Sequence, residues 1–465
     1  MDWDGDGVYE ADEGGPLYGV TLERGRKNVI ARNGNGFEPP QPGSGTLLLL
    51  DLDGRYDPWN ETSPIYPNFT ANKRFRIEVE ENGTVWPVMT GNIKKIQRVE
   101  GNVPAVRLDL EGALALLGED VWVTMQKNIY AGDAMEMVLD AAGWPADRDL
   151  SAGVDEKAVW WVSGVSALQA LHELAEAEYG TLVMRADGTI RFRSRHDFYD
   201  VVATVTGADI QRGYRIPLPW DVVRTVARVR AYLPKDTSGL LYEYQASVPV
   251  QGSETAEIFI SVQDVYIGEI TSVEHMANAS ADGTGADVSD QVTVTATLLS
   301  PQRVKLEVAN SSTSTVYLQS VKFYGNGVTM DGYVDYEARN DDGAALYGER
   351  ALTVDVMWLQ DALVAKDIAD HLAWWYGEPA TGRAAVEVRL KDRPALQFGV
   401  DVGDVVSLDL GSIQGNYRLI HVEHHWLDRV GRMVETKWIL QPAFAFGDLY
   451  WIFPTALGIS SRFGF

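Results

Sequence analysis

The chain has 465 residues, 45% of them hydrophobic and fourteen of them Trp, so it folds rather than staying disordered and is long enough for about three domains of roughly 150 residues. Forty Lys and Arg against 66 Asp and Glu give a formal charge of −26 and a pI of about 4.6, a balance that disfavours nucleic acid and anionic membrane surfaces as partners. With no Cys there is neither disulfide nor thiolate chemistry, and no apolar run reaches the roughly 18 residues of a membrane helix.

The first residues, MDWDGDG, are acidic where a secretory signal is basic and then apolar, so no leader is expected. Residues 2–13, DWDGDGVYEADE, fit the spacing of a calcium loop. Asp2, Asp4 and Asp6 would be the early ligands, the Val8 carbonyl the fourth and Glu13 the bidentate one, with Gly7 at the sharp turn. GGPLYG after Glu13 is not helical and no helix precedes Asp2, which excludes a helix-flanked EF-hand. The stretch is therefore either a lone Ca2+ loop or a solvated acidic turn. A strand follows over 17–22, and then the basic Arg24-Gly25-Arg26.

The most strongly patterned stretch is 46–91. Leu47 to Leu50 is too short for a helix and is bounded by turn residues, so it reads as a strand buried on both faces. Asp53-Gly54 turns the chain into a loop with Pro58, Pro64 and Pro67 spaced by Tyr56, Trp59 and Tyr66. Prolines fix the backbone and aromatics supply contact area, so this loop suits shape and contact rather than chemistry. Tyr56, Trp59, Tyr66 and Phe69 are candidate interface residues. Phe75, Ile77 and Val79 then alternate with Arg74, Arg76, Glu78 and Glu80, and Asn82-Gly83 makes a hairpin turn before a return strand through Val85 and Val88. Two more strands, 93–99 and 103–110, complete an all-β first domain near residue 112.

From 113 to 204 the pattern is mixed. A short helix over 133–142 carries Met135, Met137, Val138 and Ala141 and stops at Gly143-Trp144-Pro145. A second spans 166–179, with a Ser166/Gln169 capping box, an apolar stripe of Leu168, Leu171, Leu174 and Ala175, and Gly180 as the expected C-terminal cap. A hairpin turning at Asp187-Gly188 follows. Residues 246–335 hold short β-branched strands separated by turn clusters, the pattern of a small sandwich. No dense aromatic cluster marks a sugar platform there, which favours spacing or docking over carbohydrate binding. Tyr347-Gly348-Glu349-Arg350 precedes a strand and a helix over 360–376 whose stripe is Leu363, Ile368, Leu372 and Trp375. Strands are expected at 384–390, 400–410, 416–427 and 432–440, with bends at Gly399, Gly403 and Asp404 and a hairpin turn at 428–431. The closing residues 443–465 are too apolar for a free end, which makes Trp451 and Phe453 candidate docking residues.

No catalytic constellation emerges. His421, Glu423 and His425 share one face of a strand and offer a metal three ligands, but no HExxH or comparable spacing supplies the rest, and ordinary histidines are the simpler reading. The acidic pairs sit beside no groove signature, and there is no G-x-S-x-G, P-loop or Cys nucleophile. The chain reads as non-enzymatic.

Five stretches together resemble the minor tail or baseplate-hub proteins of long-tailed bacteriophages. They are the strand and RGR at 20–26, the LDLDGRYDP strand, proline loop and TG-ending hairpin at 46–91, the helix and ADGTIRFR hairpin at 166–193, YGER at 347–350, and the closing strands. The resemblance implies a mainly β fold with α+β parts: two tail-tube-like β-barrel domains, an α/β insertion and a small β-sandwich. It places a first barrel at 1–112 plus 205–245, the insertion at 113–204, the sandwich at 246–335, a second barrel at 336–442 and a docking tail at 443–465. It further implies a ring at the virion tail tip, commonly a homotrimer, made in the host cytoplasm. The implied partners are other copies of the chain, a tail-tube or distal tail protein, a tape-measure protein and a tip or fibre protein, with no specific nucleic acid and no membrane. The negative charge then has two readings, plain solubility or a conduit to which DNA does not stick. Two rival functions are a receptor- or carbohydrate-binding adsorption protein using the sandwich, and a peptidoglycan hydrolase.

Overall fold

The computed structural model describes residues 1–9, 11–99, 103–197, 200–217, 222–377, 384–426 and 434–443, and the backbone of 450–452 and 462–464. The protein is mainly β, with α+β parts.

The first five strands are β1 (Leu17–Gly25), β2 (Ser44–Leu50), β3 (Arg74–Glu81), β4 (Thr84–Val99) and β5 (Ala105–Gly112). Asn82 and Gly83, with φ of 51° and 79°, close the β3–β4 hairpin in the conformation a two-residue turn demands. Val20, Leu22, Leu47, Leu49, Phe75, Ile93, Val106, Leu108 and Leu110 form one core. Leu48 and Leu50 are only half-buried, so the leucine run is buried on one face and not two, as strand alternation dictates.

Next come β6 (Asp120–Tyr130), α1 (Ala131–Ala141), β7 (Arg148–Leu150), β8 (Glu156–Ser166), α2 (Ala167–Ala177), β9 (Thr181–Met184) and β10 (Ile190–Arg193). The Ser166 hydroxyl caps α2, accepting from the Gln169 amide at 3.2 Å. At the other end Tyr179, not Gly180, takes the left-handed conformation, with φ of 50°. The Gly180 amide bonds the Ala175 carbonyl and the Tyr179 amide that of Glu176, the pattern of a Schellman close. Gly180 is required for a different reason: a Cβ there would sit 2.6 Å from the Phe192 ring and 2.7 Å from the Arg193 carbonyl.

The chain continues through β11 (Val201–Thr206), β12 (Ile210–Arg215), β13 (Val226–Val250), β14 (Thr255–Ser261), β15 (Tyr266–Asn278), β16 (Val292–Ser300), β17 (Arg303–Asn310) and β18 (Val316–Arg339). Strands β15, β18, β13 and β19 (Ala351–Asp355) make one sheet and β14, β17 and β16 another. Leu241, Ile260, Ile267, Leu306, Leu318 and Phe323 share the core between them. The 25-residue β13 runs antiparallel to the 24-residue β18. Its base packs with the α/β segment and with α4 (Ala362–Gly377) in the largest core of the chain. In α4 the buried positions include Val364, Ile368, Ala369, Leu372 and Trp375, whereas Leu363 is exposed, because nine residues at about 3.6 per turn put it on the face opposite Leu372; Asp361 caps the helix through the amides of Leu363 and Val364.

The last elements are β20 (Val386–Leu390), β21 (Val405–Asp409), β22 (Gln414–Trp426), β23 (Val434–Pro442) and the short pair β24 (Tyr450–Ile452) and β25 (Arg462–Gly464). The hairpin turn expected at 428–431 lies outside the described residues. Eleven strands form one sheet in the order β12-β20-β23-β22-β1-β2-β5-β4-β3, with β21 on β22 and β11 on β21. The N-terminal and C-terminal strands therefore share a sheet through β1 and β22, and each end carries its own core. Two expectations change. Residues 201–215 join the C-terminal strands, β11 on β21 and β12 on β20. Strand β13 pairs with β18 and β19 instead of returning to the first five strands.

Candidate assembly surface

The 51–73 loop is held by consecutive turns. Amides of Asp57, Asn60, Ser63 and Tyr66 donate to the carbonyls of Gly54, Asp57, Asn60 and Ser63. Side chains lock each step: Asp51 accepts from the Tyr56 amide at 3.0 Å, Asn60 donates to the Gly54 carbonyl at 2.8 Å and Ser63 to the Arg55 carbonyl at 2.6 Å. Asp57 pairs with Arg98 of β4 at 2.8 Å.

This geometry divides the four aromatics. Tyr56 and Phe69 are 1% and 3% exposed and pack with Trp3, Ile65 and Phe75, so they are core residues and not contact residues. Their ring centroids lie 5.8 Å apart, and Trp3 meets Phe69 edge-on at 5.3 Å. Trp59 is 77% exposed and Tyr66 43%. Leu52 and Val103 are also exposed at this end of the sheet, where the Asp51 amide bonds the Pro104 carbonyl. Neither had a sequence signal beyond being apolar. Trp451 lies on β24, and Phe453 lies outside the described residues.

The acidic opening is split in the same way. Asp2, Asp4 and Asp6 converge closely enough to hold an ion, but Glu13 turns elsewhere. Glu13 accepts from the Trp3 indole at 2.9 Å, from Arg55 at 2.7 Å and from the Tyr56 hydroxyl. Burial pushes its carboxyl up, and the bonds from Arg55, Tyr56 and Trp3 outweigh that and leave it below the ordinary value. Burial and the Glu13 charge raise the Tyr56 phenol. Glu13 thus anchors the loop and stands apart from the three converging aspartates. Buried Asp2 spends its oxygens on the amides of Gly5 (2.7 Å) and Gly7 (3.1 Å), Asp4 accepts from the Asp6 amide and Asp6 from the Val8 amide. Exposed Val8 is part of this turn.

At the β1–β22 seam, Glu23 pairs in register with Glu423. Glu23, His421 and Glu423 come together, while His425 is exposed and meets Thr21. His421, Glu423 and His425 keep continuous register with Gly25, Glu23 and Thr21, so they share a face as expected, but His425 sits at its exposed end with Thr21 rather than with Glu23. Lys27 lies 3.0 Å from Glu23 and Lys437 3.5 Å from Glu423, so cations of the chain already serve these carboxylates. His424 is buried, bonds the Thr436 hydroxyl at 3.0 Å and packs on Phe398. Burial and the Arg24 charge push its imidazole down to about 3.

A buried network joins the seam to the α/β segment. Arg24 of β1 pairs with Asp401 at 2.7 Å, and Arg185 and Arg191 pair with Asp404 at 2.9 and 2.8 Å. Asp401 also accepts from the Ala186 amide at 2.6 Å. Burial raises the Asp401 carboxyl, and Arg24 and Arg185 more than reverse this. The sequence marked Gly403 and Asp404 only as a bend.

No family model matches the chain, and no curated protein matches it. Among solved structures the chain is similar to the 43 kDa tail protein of prophage MuSo2 from Shewanella oneidensis, at 10% identity over 92% of this chain and 94% of that one, with a TM-score of 0.49. It is similar to a tail protein from Neisseria meningitidis MC58 at 13% identity, over 92% of this chain and 93% of that one, with a TM-score of 0.48. It is also similar to an E. coli component of the type VI secretion system at 10% identity, over 95% of this chain and 76% of that one, with a TM-score of 0.38.

Proposed function

We propose that the chain is a structural protein of a phage tail tip or baseplate, a hub that assembles with further copies of itself as a trimeric ring. In this role it closes the tail tube, connects it to tip or fibre proteins and opens for DNA delivery. The observation that carries the reading is the sheet through β1 and β22. It gathers 20–26, 46–91 and the closing strands, the stretches that resemble tail hubs, into one continuous element. The same sheet presents the shaped loop with exposed Trp59 and Tyr66 at its end, and a large aromatic on a fixed backbone loses little entropy on docking.

The role is mechanical. Of the two histidines that invited a metal reading, His421 is buried and hydrogen-bonded within the seam, and His425 is exposed and meets Thr21. Light scattering on the purified chain, alone and with a tail-tube protein, tests the assembly reading. A discrete trimer supports it, and a monomer that stays unbound at high concentration with the tail-tube protein counts against it.

A further inference from the structure

Behind the seam, the turn between α2 and β9, together with α4, β22 and β23, borders a cavity lined by Arg26, Arg195, Arg418, Tyr179, His371 and Tyr376, among others. None of its lining residues is Asp or Glu, although the chain has 66 of them. Arg195 brings its own counter-charges, Asp155 at 2.7 Å and Glu178 at 3.4 Å. Arg26 does not. Its guanidinium donates to the Glu38 backbone carbonyl at 2.9 Å, and no carboxylate among the described residues forms an ion pair with it. The Glu38 carboxylate acts on Arg26 only through space. Arg418 reaches into the same space and donates to the Thr181 hydroxyl.

Two guanidiniums, two phenols and an imidazole thus converge on a cavity with no carboxylate among its lining residues. Burial lowers the Arg26 guanidinium, and the Arg418 charge adds to the fall while Tyr376 opposes it; the same two arginines act on the Tyr179 phenol. A half-buried cation with no ion-paired carboxylate is costly, and a planar guanidinium is shaped to bond an oxyanion through two parallel N–H groups. In a chain of net charge −26 this cavity is a local exception, and the surrounding field discourages any anion that the cavity does not specifically hold.

We propose that this cavity binds one small oxyanion, held by Arg26 and Arg418 with the Tyr179 hydroxyl as a further donor. The site is independent of the tail-hub reading. It lies among the α2–β9 turn, α4, β22 and β23, so an anion there ties the α/β segment to the shared sheet.

The test is equilibrium dialysis of the full chain against radiolabelled inorganic phosphate, with labelled acetate as a second probe and ionic strength held constant with chloride. Saturable binding of one anion per chain by either probe is expected, weakened at least about tenfold in Arg26→Met and unchanged in Arg98→Met, which removes a surface arginine. Circular dichroism checks that each variant is folded. Should Arg26→Met fail to fold, Tyr179→Phe removes a single hydroxyl and is expected to weaken binding several-fold. No saturable binding of either probe to the native chain overturns the proposal, as does equal binding by folded Arg26→Met.

Discussion

Three donors meet on the Glu13 carboxylate, from Trp3, Arg55 and Tyr56, and this one side chain holds the acidic opening against the aromatic loop. Glu13→Ala leaves buried donors without their acceptor and is expected to cost about 2–4 kcal/mol in urea unfolding, whereas Tyr56→Phe removes one donor and should cost about 1 kcal/mol. An alanine variant within about 0.5 kcal/mol of the native chain would contradict the anchoring role. Because the folded Glu13 value is depressed, its contribution is present at neutral pH and is lost as pH falls through that value. His424 acts in the same direction from a higher pH. Its imidazole stays neutral in the fold down to about 3 but takes a proton near 6.5 when unfolded. The unfolded state therefore binds more protons between those values, and stability falls on acidification. Glu176, raised to about 7 chiefly by burial, works oppositely between about 4.5 and 7, so the native chain must be compared with a variant. Between pH 7.5 and 5.5 the native chain should lose about 1.4 kcal/mol more than His424→Gln. Equal losses in urea unfolding would show that His424 titrates normally.

At the scale of elements, the aromatic loop separates contact from core. Trp59→Ala and Tyr66→Ala together should leave the melting temperature nearly unchanged and weaken self-assembly, read by sedimentation. Phe69→Ala should cost about 3–5 kcal/mol with no specific effect on assembly. A double variant that unfolds the chain would place the exposed rings in the core instead. Much of this scale was legible beforehand. Asn82-Gly83 marked its hairpin, Ser166 its helix start, and the loop prolines a fixed backbone, because each is a local choice whose partners lie within a few residues. What stayed hidden depended on distant partners. Tyr56 and Phe69 look like Trp59 in sequence, and only the position of Trp3 and Ile65 decides which rings are covered. Strands β6 and β8 were hidden in a segment where the helical pattern dominated, and Leu363 joined an expected stripe although its spacing puts it on the face opposite Leu372. The Arg24–Asp401 pair spans most of the chain, so nothing near either residue announces it.

The whole molecule turns on the seam between β1 and β22. Gly25, with φ of 83°, lies where a Cβ would be 2.2 Å from the Ile420 carbonyl oxygen, so no side chain fits without parting the strands. Gly25→Ala should cost on the order of 3 kcal/mol and expose both halves of the sheet to protease together; a loss below about 0.5 kcal/mol would mean that the seam tolerates displacement. The order of strands within this sheet was not readable from the sequence, because alternation specifies a strand and its buried face but not its neighbour. If the chain is a hub, the sheet is its frame and the loop at 51–73 its point of contact. Electron cryomicroscopy of intact tails decides this most directly. The account expects three copies of the chain in one ring at the distal end of the tube, with Trp59 and Tyr66 against a neighbour; tails in which the chain is absent from the distal ring, or present only as separate peripheral fibres, would contradict it.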